Sequence, residues 1–541
     1  MTPKHIPVLI VGAGFAGLTA ALMISRRGIP CIAVERRATL SSHPRAHGLN
    51  LRSLELFRQI PGLEEDLHRV SRAAPEDWTI LIAETVTGPP IKFLSRPGVR
   101  PPPVSPSVMC SAGQNRVEPV LLRHARELGA EVFFSTELAS FTQSENGVRA
   151  VLRDTTSKDE TLVTADYLIA GDGSGSAIRK SLGVAMEGPG VMSHAVSILF
   201  EADLTAAMAG RGFFLCYLRN AEFTGAFVSC DDPNQGQLNV EYNPEHESAA
   251  DFDVSRCKRV VRAALGQPDL ELRILDVIPW KMSAVVADRM RVGRVFLAGD
   301  AAHIMPPVGG LAGQAAIQDA VDLAWKISMT LDGDADPALL DTYELERRPV
   351  AQLAIARATE NYVERLRQDR ADLSSALGRE NLLDVAMSYR YRSQAISLEE
   401  PDDGLPTDDT LHPSGKPGTR LAHVSLTRGE ASISTHDLVG PGFVLLAGPS
   451  GTAWTRAADV LTRGGAPLTA FRVGSDLLDH DGSFLTWTGL EPAGALLVRP
   501  DGFIAWRSVG DRDGHTALLA EAMARALCID SQNNSKFDRS G

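Results

Sequence analysis

The chain has 541 residues, room for roughly two to four domains, and 44% of them are hydrophobic, so a sizeable core can form. A net charge of −13 without any basic block argues against nucleic acid as a partner. No run approaches the roughly 18 apolar residues of a membrane span, and six scattered cysteines without CxxC or metal spacing predict free thiols in a reducing cytoplasm. Residues 6–11 (IPVLIV) read as a strand rather than a secretion signal, because they lead into a glycine fingerprint, Gly12-x-Gly14-x-x-Gly17, with no sensible cleavage site. A helix follows and ends near Gly28, and residues 31–35 form a second strand closing on Glu35. The first glycine allows a tight turn, the second lets backbone meet a pyrophosphate, and the third lets helix pack on strand. Glu35 lies 21 residues after Gly14, where an acid takes ribose hydroxyls. This context predicts a dinucleotide without choosing between FAD and NAD(P).

Farther on, Arg45 sits in HPRAHGLN with His43 and His47, all in a loop, and residues 52–67 predict an amphipathic helix. Proline-rich residues 75–108 read as loops with short strands. Residues 111–134 read as turn, helix and strand and carry Gln114, Arg116 and Arg123; a hairpin turning at Asn146-Gly147 comes next. At 165–183 a strand enters Gly171-Asp172-Gly173, and a helix with Arg179 follows. Residues 190–285 alternate in short runs, predicting an antiparallel sheet with one helix near 254–266. Its inward side chains would form a substrate pocket, with Phe213, Tyr217, Asn239, Tyr242, Trp280 and Met282 as candidates. An apolar, aromatic pocket suits a flat polycyclic molecule.

The stretch 293–326 reads as strand, sharp loop and long helix. The apolar run 295–298 marks a buried parallel strand, and Gly299-Asp300 ends it at the carboxyl edge of the sheet, where open α/β folds bind ligands. Pro306, Pro307, Gly309, Gly310 and Gly313 let the backbone approach a flat ligand. Apolar residues at 317, 320, 321, 324, 325 and 327 lie on one helix face, and the helix start offers unpaired N–H groups. Residues 341–368 predict another long helix, with a turn or kink at Pro349. A Pro/Gly/Asp linker covers 399–420, and a compact strand–helix–strand–strand–strand–helix unit follows, with Cys528 on its last helix.

The Asp300 stretch resembles the second FAD-binding motif of the single-component (class A) flavoprotein aromatic hydroxylases. The Asp172 turn resembles that family's Asp-Gly motif. Over the whole chain the likeness is strongest to bacterial aromatic polyketide hydroxylases with a thioredoxin-like end. The resemblance implies an α/β fold: a Rossmann-like FAD-binding domain of the para-hydroxybenzoate hydroxylase type (1–75, 108–185 and 285–398), an antiparallel-sheet substrate domain (76–107 and 186–284), and a thioredoxin-like domain without CxxC (415–530). It implies FAD held by Gly12, Gly14, Gly17, Glu35, Arg36, Arg45, Gln114, Asp172, Asp300, Pro307, Gly310, Gly313 and Gln314, the last two through backbone amides. Many relatives have Gly, Asn and Thr-Gly where this chain has Ala312, Gln314 and Ala315-Ala316. The resemblance also implies NADPH or NADH as a transient visitor, in keeping with the lack of a second glycine fingerprint, and O₂ as co-substrate through a flavin C4a-hydroperoxide. The resemblance implies a structural His303; no catalytic side chain is singled out, no metal is expected, and a cytoplasmic monomer or homodimer is the expectation. Alternatives on the same sequence are a simple phenol hydroxylase, a Baeyer–Villiger or ring-opening oxygenase, and a flavin-binding partner without turnover.

Overall fold

A computed structural model describes residues 4–71, 73–98, 102–220 and 223–530. The apolar N-terminal run becomes the middle of a parallel sheet. Strand Lys4–Val11 lies between Cys31–Val34 and Glu160–Ala170; Glu131–Phe133 and Val295–Leu297 extend the sheet on either side. Val8 to Val11 are all buried, as a strand covered on both faces requires. The hairpin Thr136–Ser144 and Gly147–Asp154 adds antiparallel to Glu160–Ala170. Helices Phe15–Arg26 and Ala312–Leu331 meet over this sheet beside Gly299. A Cβ there would lie 3.1 Å from that of Ala316 and 3.2 Å from that of Ala16, so small side chains permit the contact.

The second sheet has eight strands in the order 303–304, 272–287, 186–202, 235–242, 224–229, 213–219, 78–83 and 90–95. Side chains alternate across it. Ile198, Phe200, Phe214, Cys216, Phe227 and Leu238 pack on one side with helix Val254–Leu265. The other side gathers Tyr217, Met282, Met305, Leu311 and Tyr362 into a core beneath helix Thr342–Arg365.

Two local expectations are corrected. The single helix over 52–67 is two helices, Leu51–Phe57 and Leu63–Val70, because Pro61 interrupts and Gly62 turns left-handed (φ +78°). Helix Thr342–Arg365, by contrast, continues through Pro349: the ring faces solvent, and Val350, Leu353, Ala354 and Ile355 hold the helix against the core.

At the C-terminus, strands 468–472, 443–447, 495–498 and 504–508 form one sheet in that order, the first pair parallel and the rest antiparallel, with helices Thr452–Arg463 and His515–Ala526 beside it: the thioredoxin-like topology. Cys528 sits just beyond the last helix at φ +54°, half-buried, and burial pushes its thiol up to about 11. None of the six cysteines is in a disulfide, and among the described residues no helix is long and apolar enough to cross a membrane.

Candidate active site

Three turns meet at the carboxyl edge of the parallel sheet. Gly12 N–H donates to Val34 C=O (2.8 Å), Gly171 N–H to Val11 C=O (2.8 Å) and Ala298 N–H to Ala170 C=O (3.0 Å). A Cβ on Gly12 would come within 2.2 Å of Gly171 O, and one on Gly17 within 1.8 Å of Gly12 O, so neither position admits a side chain. Gly14 is different: a Cβ there would meet only Glu118 Oε1, at 3.8 Å, leaving its amide face open. Glu35 accepts from the N–H groups of Ala13 and Arg37 (3.0 Å each), which fixes its carboxylate at the mouth of the glycine loop; Arg36 and Arg45 are exposed beside it.

Asp300 has an accessible side chain, yet burial raises its carboxyl above the usual range against the pull of His303 and Arg45. An accessible but desolvated carboxyl marks the wall of a cleft rather than open surface. Asp172 Oδ2 accepts from Ile178 N–H (3.3 Å), while Oδ1 is buried without a partner. Pro307 and Gly310 are exposed between buried Pro306, Val308 and Leu311. Gly313 and Gln314 lie in the first turn of helix Ala312–Leu331, ahead of its bond from Ala315 N–H to Leu311 C=O (2.9 Å), so their amides are geometrically free. Open backbone at Gly14 and Gly310, free amides at a helix start, the orphaned Asp172 oxygen and the cleft carboxyl of Asp300 fit a long anionic dinucleotide with a flat ring, as FAD has.

Several side chains around this cleft brace its walls. Gln314 Oε1 accepts from Ser53 Oγ–H (2.7 Å) and Asn50 N–H (3.2 Å), and its Nε2 donates to Gly48 C=O (2.9 Å), so the amide side chain braces the 47–53 segment. Gln114 donates from Nε2 to Glu118 Oε1 (2.6 Å). Burial pushes the Glu118 carboxyl up to about 7, and Gln114 and Arg45 only partly offset it. Glu118 was not singled out from sequence; its signal was an acid one helical turn after Gln114, on the face that carries Val117 and Leu121. Arg123 pairs on the surface with Asp66, Arg116 is half-buried, and Arg179 ties the Asp172 turn to the Asp300 loop through Ala301 C=O (3.0 Å) and Ser174 C=O (3.3 Å). Behind Asp300, buried Asp319 accepts from His303 Nε2–H (2.7 Å), Gly299 N–H (3.0 Å) and Arg347 Nε–H (2.8 Å). Only its 3.6-residue spacing on a buried helix face hinted at this duty.

The inner face of the second sheet forms the opposing wall. Phe213 packs on Trp78 (centroids 5.2 Å) and faces His47 (6.3 Å); His47 belongs to strand His47–Leu49 rather than a loop, and donates to Gln237 Oε1 (3.3 Å). Gln237 Nε2 donates to Ser197 Oγ (2.8 Å) and Asn239 Oδ1 (3.4 Å). Tyr217 is fully enclosed, and its hydroxyl accepts from Arg365 Nη1–H (3.1 Å). Trp280 and Met282 stand opposite Ala195 and Ser193 on the same face. Tyr242 does not join them. One residue beyond the inward Glu241, it points to the opposite face and packs on Phe252 and His194 (5.8 Å each).

A dinucleotide cleft facing a broad apolar wall, with a long helix starting at the junction, defines a flavin-dependent oxidoreductase. Residues 5–358 match the FAD binding domain family, and residues 414–528 match the C-terminal domain of aromatic-ring hydroxylases. The chain belongs to the FAD-dependent aromatic-ring monooxygenases, which use NAD(P)H and O₂. It is 39% identical to aklavinone 12-hydroxylase RdmE of Streptomyces purpurascens, over 94% of this chain and 96% of the relative. It is also 39% identical to 4-methyl-5-nitrocatechol 5-monooxygenase of a Burkholderia species, over 97% and 98%. The crystal structure of aklavinone-11 hydroxylase with FAD and aklavinone superposes with a TM-score of 0.91 at 36% identity, covering 98% of this chain and all of that one.

Proposed function

We propose that this enzyme hydroxylates a polycyclic aromatic polyketide. The observation that carries this reading is the width of the wall: its inner face runs from Ile80 and Ile82 through Leu215 and Tyr217 to Trp280 across six hydrogen-bonded strands, about 24 Å at ~4.8 Å per strand. Relatives named for aklavinone and tetracenomycin align over nearly the whole chain. When bound, FAD would supply the activation of O₂, one atom of which goes to the substrate while the other leaves as water. The protein's part is to hold and orient. Glu35, Arg36, Arg45, Gln114 and Asp172 would line the nucleotide half of the cleft, with Asp300 at the ribityl chain. Pro307 and Gly310 would lie along the ring, and the amides of Gly313 and Gln314 would favour negative charge at the helix start. Phe213, Tyr217, Asn239, Trp280 and Met282 would hold the substrate ring and exclude water. The nicotinamide is read as a transient visitor.

The Burkholderia relative, equal in identity, favours a second reading, a single-ring phenol substrate. NAD(P)H consumption and product masses with aklavinone and 4-methyl-5-nitrocatechol side by side decide between them. A one-oxygen product from the polycyclic is expected; response to the nitrocatechol alone overturns the polyketide reading.

A further inference from the structure

Two polar atoms of the substrate wall lack partners on one rung of the sheet. Glu241 and Trp280 both stand opposite Ala195, one on each neighbouring strand, so their Cα atoms are about 10 Å apart across a small residue. Glu241 Oε2 is occupied: Tyr362 Oη–H donates at 3.1 Å and Arg367 Nη1–H at 3.4 Å. The Ser193 hydroxyl lies nearby and also favours the carboxylate. Oε1 is shut off from solvent with no hydrogen-bond partner, and so is the indole Nε1 of Trp280. Both side chains border the apolar core that contains Tyr217, Met282, Met305 and Tyr362, between the sheet and the loop lining the flavin cleft. A buried acceptor and a buried donor are each costly when unpaired, and native proteins rarely keep such groups without use. Here the two are complementary, share one face, and flank the small side chain of Ala195.

We propose that Glu241 and Trp280 form a two-point clasp for the substrate, Glu241 Oε1 accepting from a phenolic or alcoholic O–H and Trp280 Nε1–H donating to a carbonyl oxygen on the same edge of the ring system. The clasp rests on the polycyclic reading above and sharpens it to oxygenated, quinone-like edges. It is a specificity device: it sets which way the ring system faces the flavin, and takes no part in oxygen transfer.

The test uses the FAD-loaded enzyme, with binding followed by the flavin absorbance change. Three probes are β-hydroxyanthraquinone, anthraquinone without the hydroxyl, and β-anthrol without the carbonyls. The variants are Glu241→Gln, which keeps shape and can still accept from Tyr362, and Trp280→Phe; flavin content equal to wild type certifies the fold of each. Trp280→Phe is expected to weaken the hydroxyanthraquinone by about tenfold and leave β-anthrol unchanged. Glu241→Gln is expected to weaken β-anthrol and the hydroxyanthraquinone and leave anthraquinone unchanged. If Glu241→Gln does not retain flavin, the Trp280→Phe selectivity decides alone. Variants that bind all three probes like wild type, or that lose all three equally, overturn the clasp while the substrate reading stands. A wild-type enzyme that binds none of the three overturns the substrate reading and the clasp with it.

Discussion

Glu118 shows how one carboxyl records its surroundings. Its folded value, about 7, lies above the ordinary 4.5, so in that window the folded protein holds a proton that the unfolded chain has released. Stability therefore falls as pH rises through the window, and the full penalty applies above about pH 7. Glu118→Gln removes it. The stability difference between variant and wild type, measured by denaturant unfolding of the apoprotein from about pH 5 to about pH 8, is expected to grow in the variant's favour to on the order of 3 kcal/mol and then level off. Arg45, Arg37 and Glu35 face the same group, and Glu118→Gln leaves all three in place, so the variant removes one titrating carboxyl and nothing else. Asp300 gives the simpler case. Asp300→Ala is expected to weaken FAD binding roughly 10- to 100-fold, the loss of one charge-assisted hydrogen bond, read by flavin released on gel filtration. Asp300 could be found in the sequence because its turn chemistry is local: strand, glycine, acid. Glu118 and Glu241 could not, because what distinguishes them is the burial and partner set that three distant segments create.

At the scale of elements, helix Ala312–Leu331 joins the cleft to the rest of the molecule. Its start presents free amides, and about two turns further Asp319 reaches back to hold the Asp300 loop by Gly299 and His303 while it neutralises buried Arg347. Burial alone would raise the Asp319 carboxyl, but His303 and Arg347 outweigh it and hold it down. Asp319→Ala leaves the Arg347 charge buried with Tyr391 and a carbonyl for company, and is expected to cost about 3–5 kcal/mol and to lower flavin content with it. Thermal unfolding with and without added FAD checks this: a melting temperature unchanged from wild type would remove Asp319 from its role. The helix itself was legible, since 20 residues of apolar periodicity and the glycines before it fix its place. The break at Pro61-Gly62 and the unbroken run through Pro349 show the limit of proline as a signal. Position decides, and an exposed proline on a helix clamped by buried Val350 and Leu353 loses one hydrogen bond without losing the helix.

For the whole molecule, the question is what a thioredoxin-like domain without a CxxC pair does in a flavin enzyme. Its contact with the FAD-binding part combines an apolar patch with buried charge. Trp325 on helix Ala312–Leu331 meets Phe443 edge-on (6.0 Å), and Arg499 inserts its guanidinium over Trp325 to grip Glu346 with two bonds of 2.7 Å. Lys326 holds the same carboxylate at 2.8 Å, and Arg420 reaches Glu55 beside the 47–53 segment that Gln314 braces. The domain thus clamps both long helices at the end away from the flavin, about 20 Å along the helix from Gly313. That distance predicts a separation of stability from chemistry. Arg499→Ala leaves Lys326 as the one cation against the buried carboxylates of Glu346, Asp322 and Asp501 and is expected to cost about 3–5 kcal/mol, while kcat of the folded fraction stays within about twofold of wild type. Pairing Arg499→Met with Glu346→Met removes both unlike charges together and is expected to recover part of that loss, because an apolar pair needs no desolvation. Denaturant unfolding of the two singles and the double gives the coupling energy directly; additive losses would show that the clamp acts through packing on Trp325 and not through the ion pair.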